Sequence, residues 1–208
     1  MHYDVFTENP ESLQEEILAL VGDDGLSAKT KMLASFGFAA LRGGEKTETA
    51  NTLNDYWMGF VGNTGHGHPD MLQIGLDAYG LNFAPDLGTP ESKDATNLSR
   101  FQWTEGTLSH NTVTVNGKKQ LSAAVGIPMH LDDAGDVKVV DVDASSAYNE
   151  TDIYRRTLVT VNAGDVSYGV DFFRVLGGND HIYSFHAQAL NPEDATAVDF
   201  TAVPDEVK

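Results

Sequence analysis

His66 and His68 stand two residues apart in the run Gly65-His66-Gly67-His68-Pro69-Asp70. In an extended chain, residues i and i+2 face the same way, so both imidazoles can serve one site. The flanking glycines lack Cβ and let backbone and ligand approach closely. A carboxylate follows at Asp70, another at Asp86 in Ala84-Pro85-Asp86-Leu87-Gly88, and a further imidazole at His110 in Ser109-His110-Asn111-Thr112. Two histidine nitrogens and one aspartate oxygen make a donor set suited to zinc. Spacing alone supports a pair of exposed loop histidines equally well. Asp70, directly after a proline, fits turn capping better than metal ligation.

Composition narrows the chemistry. The 208 residues include no cysteine, so disulfides and thiolate metal sites are excluded and any zinc must be held by His and carboxylate. A formal charge of −18 repels nucleic acid and anionic lipid. An acidic glycan would be repelled too unless local cations met it, and Arg42, Arg100, Lys118, Lys119 and the histidines are the candidates. No apolar run reaches the length of a membrane span. Met1-His2-Tyr3-Asp4 does not begin a basic and then apolar leader, so no signal peptide is expected in this chain.

The elements that must position these residues read mainly as β. Pro10 to Val21 predicts a short amphipathic helix, with Leu13, Ile17, Leu20 and Val21 at helical spacing, stopped by Gly22 and Asp23-Asp24-Gly25. From Ser35 onward, Phe36, Phe38 and Ala40 alternate, and Asn54 to Val61 carries Tyr56, Trp57 and Phe60, so both segments predict strands. Met71 to Tyr79 predicts a strand leading into Leu81 to Ala84. Asn111 to Val115 runs into Asn116-Gly117, a strong hairpin signal. Asp136 to Val142, Tyr154 to Val161, Ser167 to Val175 and His181 to Ala187 predict further strands. Many short strands between turns indicate antiparallel stacked sheets or a barrel.

Four segments carry a resemblance to a known family. They are Gly37 to Arg42; Gly65 to Asp70 with Tyr79-Gly80 and Pro85 to Gly88; Ser109 to Val113 with Val115-Asn116-Gly117; and Tyr154-Arg155-Arg156 through Asp171-Phe172-Phe173-Arg174-Val175 to His181 and Ser184-Phe185-His186. Over about residues 30 to 190 the chain resembles the C-terminal β domain of the heparinase II/III polysaccharide lyases, whose relatives include alginate and oligoalginate lyases. The resemblance implies a β-sandwich-like domain over residues 30–208 that lacks its last strands. Residues 1–29 would then be a helical linker to an absent upstream α-toroid domain carrying a catalytic Tyr and an Asn/His pair. It further implies zinc held by His68, Asp86 and His110, with His66 facing the substrate as the catalytic residue. Arg42 is the other candidate for substrate contact. The implied substrate is an acidic polysaccharide or oligosaccharide of alginate or glycosaminoglycan type. The implied location is the periplasm, the cell surface or outside the cell.

A lyase of this kind removes the C5 proton of a uronate and expels the sugar linked through O4. The catalyst must neutralise the carboxylate, place a base at C5 and protonate the leaving oxygen. A neutral histidine titrates near working pH and suits either the base or the carboxylate-facing role, and His66 is the candidate. Such chemistry needs no metal-activated water, so the zinc is expected to be structural and to pin the loops around His66. This fragment alone is expected to bind zinc but to be nearly inactive.

Two other functions compete. A cupin-like metal enzyme also begins from a His-x-His pair, but it usually adds a Glu shortly after, and here Pro69-Asp70-Met71-Leu72-Gln73 offers none. A non-catalytic carbohydrate-binding or structural β-sandwich would bind glycan without turnover. His181 and His186 read as ordinary hydrogen-bonded strand histidines. Arg155, Arg156 and Arg174 read as cross-strand partners of aspartates. Tyr56, Trp57, Phe60 and Trp103 read as packing residues.

Overall fold

Alternation decides the longest strands. In β9 (Ile153–Ala163) the side chains of Tyr154, Arg156, Leu158 and Thr160 are buried, and the residues between them are not, as expected for a strand with one face on a core. The computed structural model describes residues 29–44, 53–61, 67–79, 81–88, 100–164 and 166–188, with most of 12–20. Helical residues occur within 12–20, and Leu13, Ile17 and Leu20 there are exposed.

The strands form three antiparallel sheets. The first is a meander of β1 (Lys31–Leu33), β2 (Phe38–Gly43), β3 (Asn54–Gly59), β4 (Gln73–Ala78) and β5 (Leu81–Asn82). The second follows β7 (Ile127–Asp132), β8 (Val137–Asp143), β9 and β10 (Val166–Leu176) in chain order. The third pairs β6 (Val113–Val115) with β11 (His181–Tyr183). β2 lies against β8 and β9, and one core takes Leu41, Met58 and Ile74 from the first sheet, Val140, Val142, Tyr154 and Leu158 from the second, and Val113 and Val115 from the third. Each fully buried aliphatic side chain of this kind contributes roughly 1.5–3 kcal/mol. The architecture is the expected mainly β, sandwich-like one with a short helix near the N-terminus.

Local departures have physical reasons. The strand expected from Ser35 begins at Phe38, because residues 34–37 turn and Gly37 takes φ +74° with its N–H on the Leu33 carbonyl. Asn116 and Gly117 both have positive φ (54° and 64°) and make the expected tight turn. No hairpin follows: Val115 meets Lys118 in an isolated bridge, and β6 pairs with β11, whose residues lie over 60 positions later. β7 was not foreseen, since Pro128 breaks the pattern; it is an edge strand whose register shifts between Pro128 and His130. Trp103 is 45% exposed and therefore not core, while Phe60 is fully buried.

Candidate metal centre

Two loops from different sheets meet at the site. The first, residues 67–72, leads into β4. The second follows the short 3-10 turn Thr107–Ser109 and leads into β6. They are stitched by side chains: Thr107 Oγ1 donates to the Pro69 carbonyl (2.6 Å), Thr112 Oγ1 to the Met71 carbonyl (2.8 Å) and Asn111 Nδ2 to the Ile74 carbonyl (3.0 Å). Gln120 lies beneath, accepting the Met71 N–H and donating to the Met71 carbonyl (3.1 Å). Buried backbone groups outside regular sheet hydrogen bonding are thereby satisfied.

The loops bring His68, Asp70 and His110 together, with donor atoms all within 4.8 Å of one another. His68 and His110 are buried, and their rings lie 5.3 Å apart. Asp86, in the loop after β5, is outside that set of three and meets one member of it, His110. Its Oδ2 lies 3.1 Å from His110 Nδ1 and accepts a 2.5 Å hydrogen bond from the Gln73 amide, and its Oδ1 accepts the Gly88 N–H. Asp70 Oδ2 is 4.0 Å from the same His110 nitrogen.

The two carboxylates sit in opposed electrostatic surroundings. Burial pushes the Asp70 carboxyl up to about 6, with the His110 side chain opposing and the Asp86 charge adding. Burial would raise Asp86 as well. Hydrogen bonds from His110, Gln73 and the Gly88 backbone outweigh that effect and hold it well below the usual carboxylate range. Asp86 is thus a fixed anion facing a wholly buried imidazole.

The residues fit a metal ion. His110 Nε2 is buried and has no hydrogen-bond partner among the described residues, a state that costs free energy in the absence of a ligand. Two imidazoles with one or two carboxylates, and no thiolate, form a donor set that zinc accepts. Asp86 Oδ2 stands 3.1 Å from the other nitrogen of the His110 ring, Nδ1, so an ion on Nε2 has Asp86 as the partner that orients the ring, and an ion on Nδ1 has it within reach as a co-ligand. Asp70 was expected to cap a turn. Its carbonyl does accept the Gln73 N–H, but its side chain joins the cluster. Only the folded approach of the two loops reveals this.

His66 lies outside the described residues. The next residue, Gly67, lines a cavity of about 390 Å³ together with Pro69, Glu105, Lys119, Gln120, Leu121 and Ser122. Lys119 Nζ donates to the Glu105 carbonyl at its edge. Arg42 is on β2, where its guanidinium pairs with Asp55 on β3 (2.6 Å), and it does not line this cavity. His181 and His186 are hydrogen-bonded to the Gly177 and Leu108 carbonyls, as expected, but the strand expected over His181 to Ala187 stops at Tyr183, so only His181 is on a strand. Arg155 and Arg174 both meet Asp141, and Arg156 meets Asp171.

The family model described as heparinase II/III-like, C-terminal, matches residues 26–202. The fold is similar to that of a heparan sulfate lyase from Pedobacter heparinus, at TM-score 0.63 and 17% identity over 81% of this chain and 27% of that one. It is similar also to a heparinase III gene product, at TM-score 0.64 and 20% identity over 82% of this chain and 28% of that one. A further structure titled heparinase III gives TM-score 0.60 and 18% identity, over 84% and 29% of the respective chains. The chain therefore spans between a quarter and a third of the length of these structures. No curated protein sequence matches it.

Proposed function

Because the chain belongs to the heparinase II/III-like C-terminal family, we propose that it is the zinc-containing β domain of a polysaccharide lyase acting on uronate-containing glycans. The observation that carries this reading is the buried cluster of His68, Asp70 and His110 with Asp86, set beside a cavity lined by Gly67 and Pro69. The same four side chains would hold the ion: His68, His110 and Asp86 as ligands, with Asp70 in reach of a fourth place. When bound, zinc supplies a structural clamp that ties the two loops together.

The reaction proposed is β-elimination. The C5–H bond breaks, its electron pair forms the C4=C5 double bond, the C4–O bond breaks, and the leaving oxygen takes a proton. His66, two residues before His68 in the sequence, is the proposed base at C5. The proton for the leaving group would come from the upstream helical domain, the proposed site of the catalytic Tyr and the Asn/His pair. Lys119 at the cavity edge would offer the glycan a positive charge against the overall −18. The proposed location is periplasmic or extracellular; among the described residues no helix is long and apolar enough to cross a membrane.

Elemental analysis of the purified chain and of His68→Ala, Asp86→Ala and His110→Ala variants tests the metal. Near-stoichiometric zinc in the parent and its loss in the variants supports the reading; no zinc in the parent sinks it. With the upstream domain present, unsaturated uronate should form from a glycosaminoglycan or alginate and fall sharply in His66→Ala. Tight glycan binding without turnover would instead favour a carbohydrate-binding module.

A further inference from the structure

Arg156 is a charged side chain with no solvent exposure, and its hydrogen bonds reach beyond its ion pair. Nε and Nη2 hold both oxygens of Asp171 (2.8 and 2.7 Å), and Nη2 also meets the Tyr183 hydroxyl (2.9 Å). The rings of Phe173 and Tyr183 stand 5.0 and 5.6 Å from the guanidinium carbon. These contacts would satisfy a buried arginine's charge. Nη1 faces the other way and donates at 2.6 Å to two carbonyl oxygens, those of Leu72 and Asn111.

Those two carbonyls belong to the two loops of the metal centre. Leu72 is two residues after Asp70, and Asn111 directly follows His110. Leu72 also has φ +60°, a conformation that a branched side chain adopts only where its surroundings impose it. β4 and β6, into which the loops run, lie in different sheets, so regular ladder hydrogen bonds do not fix their relative positions.

We propose that Arg156 is a positioning residue of the metal centre: its single Nη1 group fixes the Leu72 and Asn111 carbonyls and so, together with the Thr107, Asn111 and Thr112 side-chain bonds and the Ile74 N–H on the Asn111 carbonyl, holds the separation of the loops that deliver Asp70 and His110. The proposal rests on the metal reading above. The role requires the planar guanidinium fork, which holds a carboxylate on one edge and two carbonyls on another; a lysine ammonium has the charge without that geometry.

The test compares zinc affinity, by competition with a chromophoric chelator, and thermal unfolding of the metal-free chain in the parent, Arg156→Met, Arg156→Lys and Leu158→Ala. Leu158 is buried on the same strand and touches neither loop through a hydrogen bond, so its truncation controls for general loss of stability. Well below each variant's unfolding temperature, Arg156→Met and Arg156→Lys should bind zinc about 10- to 100-fold more weakly, whereas Leu158→Ala should bind within about twofold of the parent. Should Arg156→Met fail to fold, Arg156→Lys, which keeps a cation beside Asp171, carries the test. Parental affinity in a folded Arg156→Lys overturns the proposal, as does an equal loss in Leu158→Ala. A parent that binds no zinc overturns the metal reading and this proposal together.

Discussion

Nδ1 of His110 lies 3.1 Å from Oδ2 of Asp86, and the imidazole it belongs to has no exposed side-chain surface. Asp70 approaches the same nitrogen at 4.0 Å, so one buried ring is addressed by two carboxylates of unequal character. Asp86 is the firmly charged one and Asp70 the one raised to about 6. The two should therefore separate by mutation. Asp86→Ala is expected to lose zinc from the purified protein. Asp70→Ala should keep one zinc at about 10- to 100-fold lower affinity, the loss typical of a supporting partner. Chelator competition with elemental analysis measures both, and the reverse ranking would place Asp70 in the ligand set and leave Asp86 to orient His110.

Zinc that binds the folded chain and not the unfolded one must raise stability by mass action. At a free concentration one hundred times its dissociation constant the gain is about 2.7 kcal/mol. For a chain of this size that corresponds to an unfolding temperature higher by roughly 5–10 °C. EDTA should reverse the shift in the parent, and His68→Ala and His110→Ala should show none. An identical shift in these variants would mean that zinc binds elsewhere.

His68 and His110 stood out in the sequence by residue type, and the structure brings the two rings together; spacing alone fitted exposed loop histidines equally well, and the assignment of Asp86 beside them came from the family resemblance. The long strands were legible because β-rich runs are divided by turn residues, and Gly164 with φ +62° sits between β9 and β10. Three features were not legible. Asp70 enters the cluster only when the loop after Gly67 meets the loop after Thr107, a contact between residues some 40 positions apart. β6 forsakes its local turn for β11, because pairing follows the available sheet edge as well as the turn residues. Arg156 reads like Arg155, since a period of two places neighbours on opposite faces without saying which face is inside.

On the other face of the same strand, Asp141 bridges Arg155 and Arg174, and Thr157 donates to it (3.1 Å). The Arg155 hydrogen bond holds the Asp141 carboxyl below its ordinary value, against the opposing effect of burial. A carboxyl lowered by folding stabilises the native state above its unfolded pKa, near 3.9, and loses that contribution as pH falls through the folded value. Asp141→Asn should therefore cost up to about 1 kcal/mol at pH 7. Urea unfolding at pH 7, 5 and 3 should show the deficit unchanged at pH 5 and reduced at pH 3; a deficit equally large at pH 3 would refute a charge-based role.

Gly75 and Gly59 provide a paired test of the first sheet. A Cβ on Gly75 would stand 2.2–2.3 Å from the Trp57 indole, directly opposite in register on β3, whereas a Cβ on Gly59 meets nothing within 4 Å. Trp57 is itself stacked on Phe38 from β2, with ring centroids 6.1 Å apart, so displacing the indole disturbs that contact too. Gly75→Ala should therefore cost about 1–3 kcal/mol, as overpacking does. Gly59→Ala should be neutral or slightly stabilising, since alanine lowers the entropy of the unfolded chain. Denaturant unfolding of both variants decides the matter, and equal stabilities would show that Trp57 is free to swing away from β4.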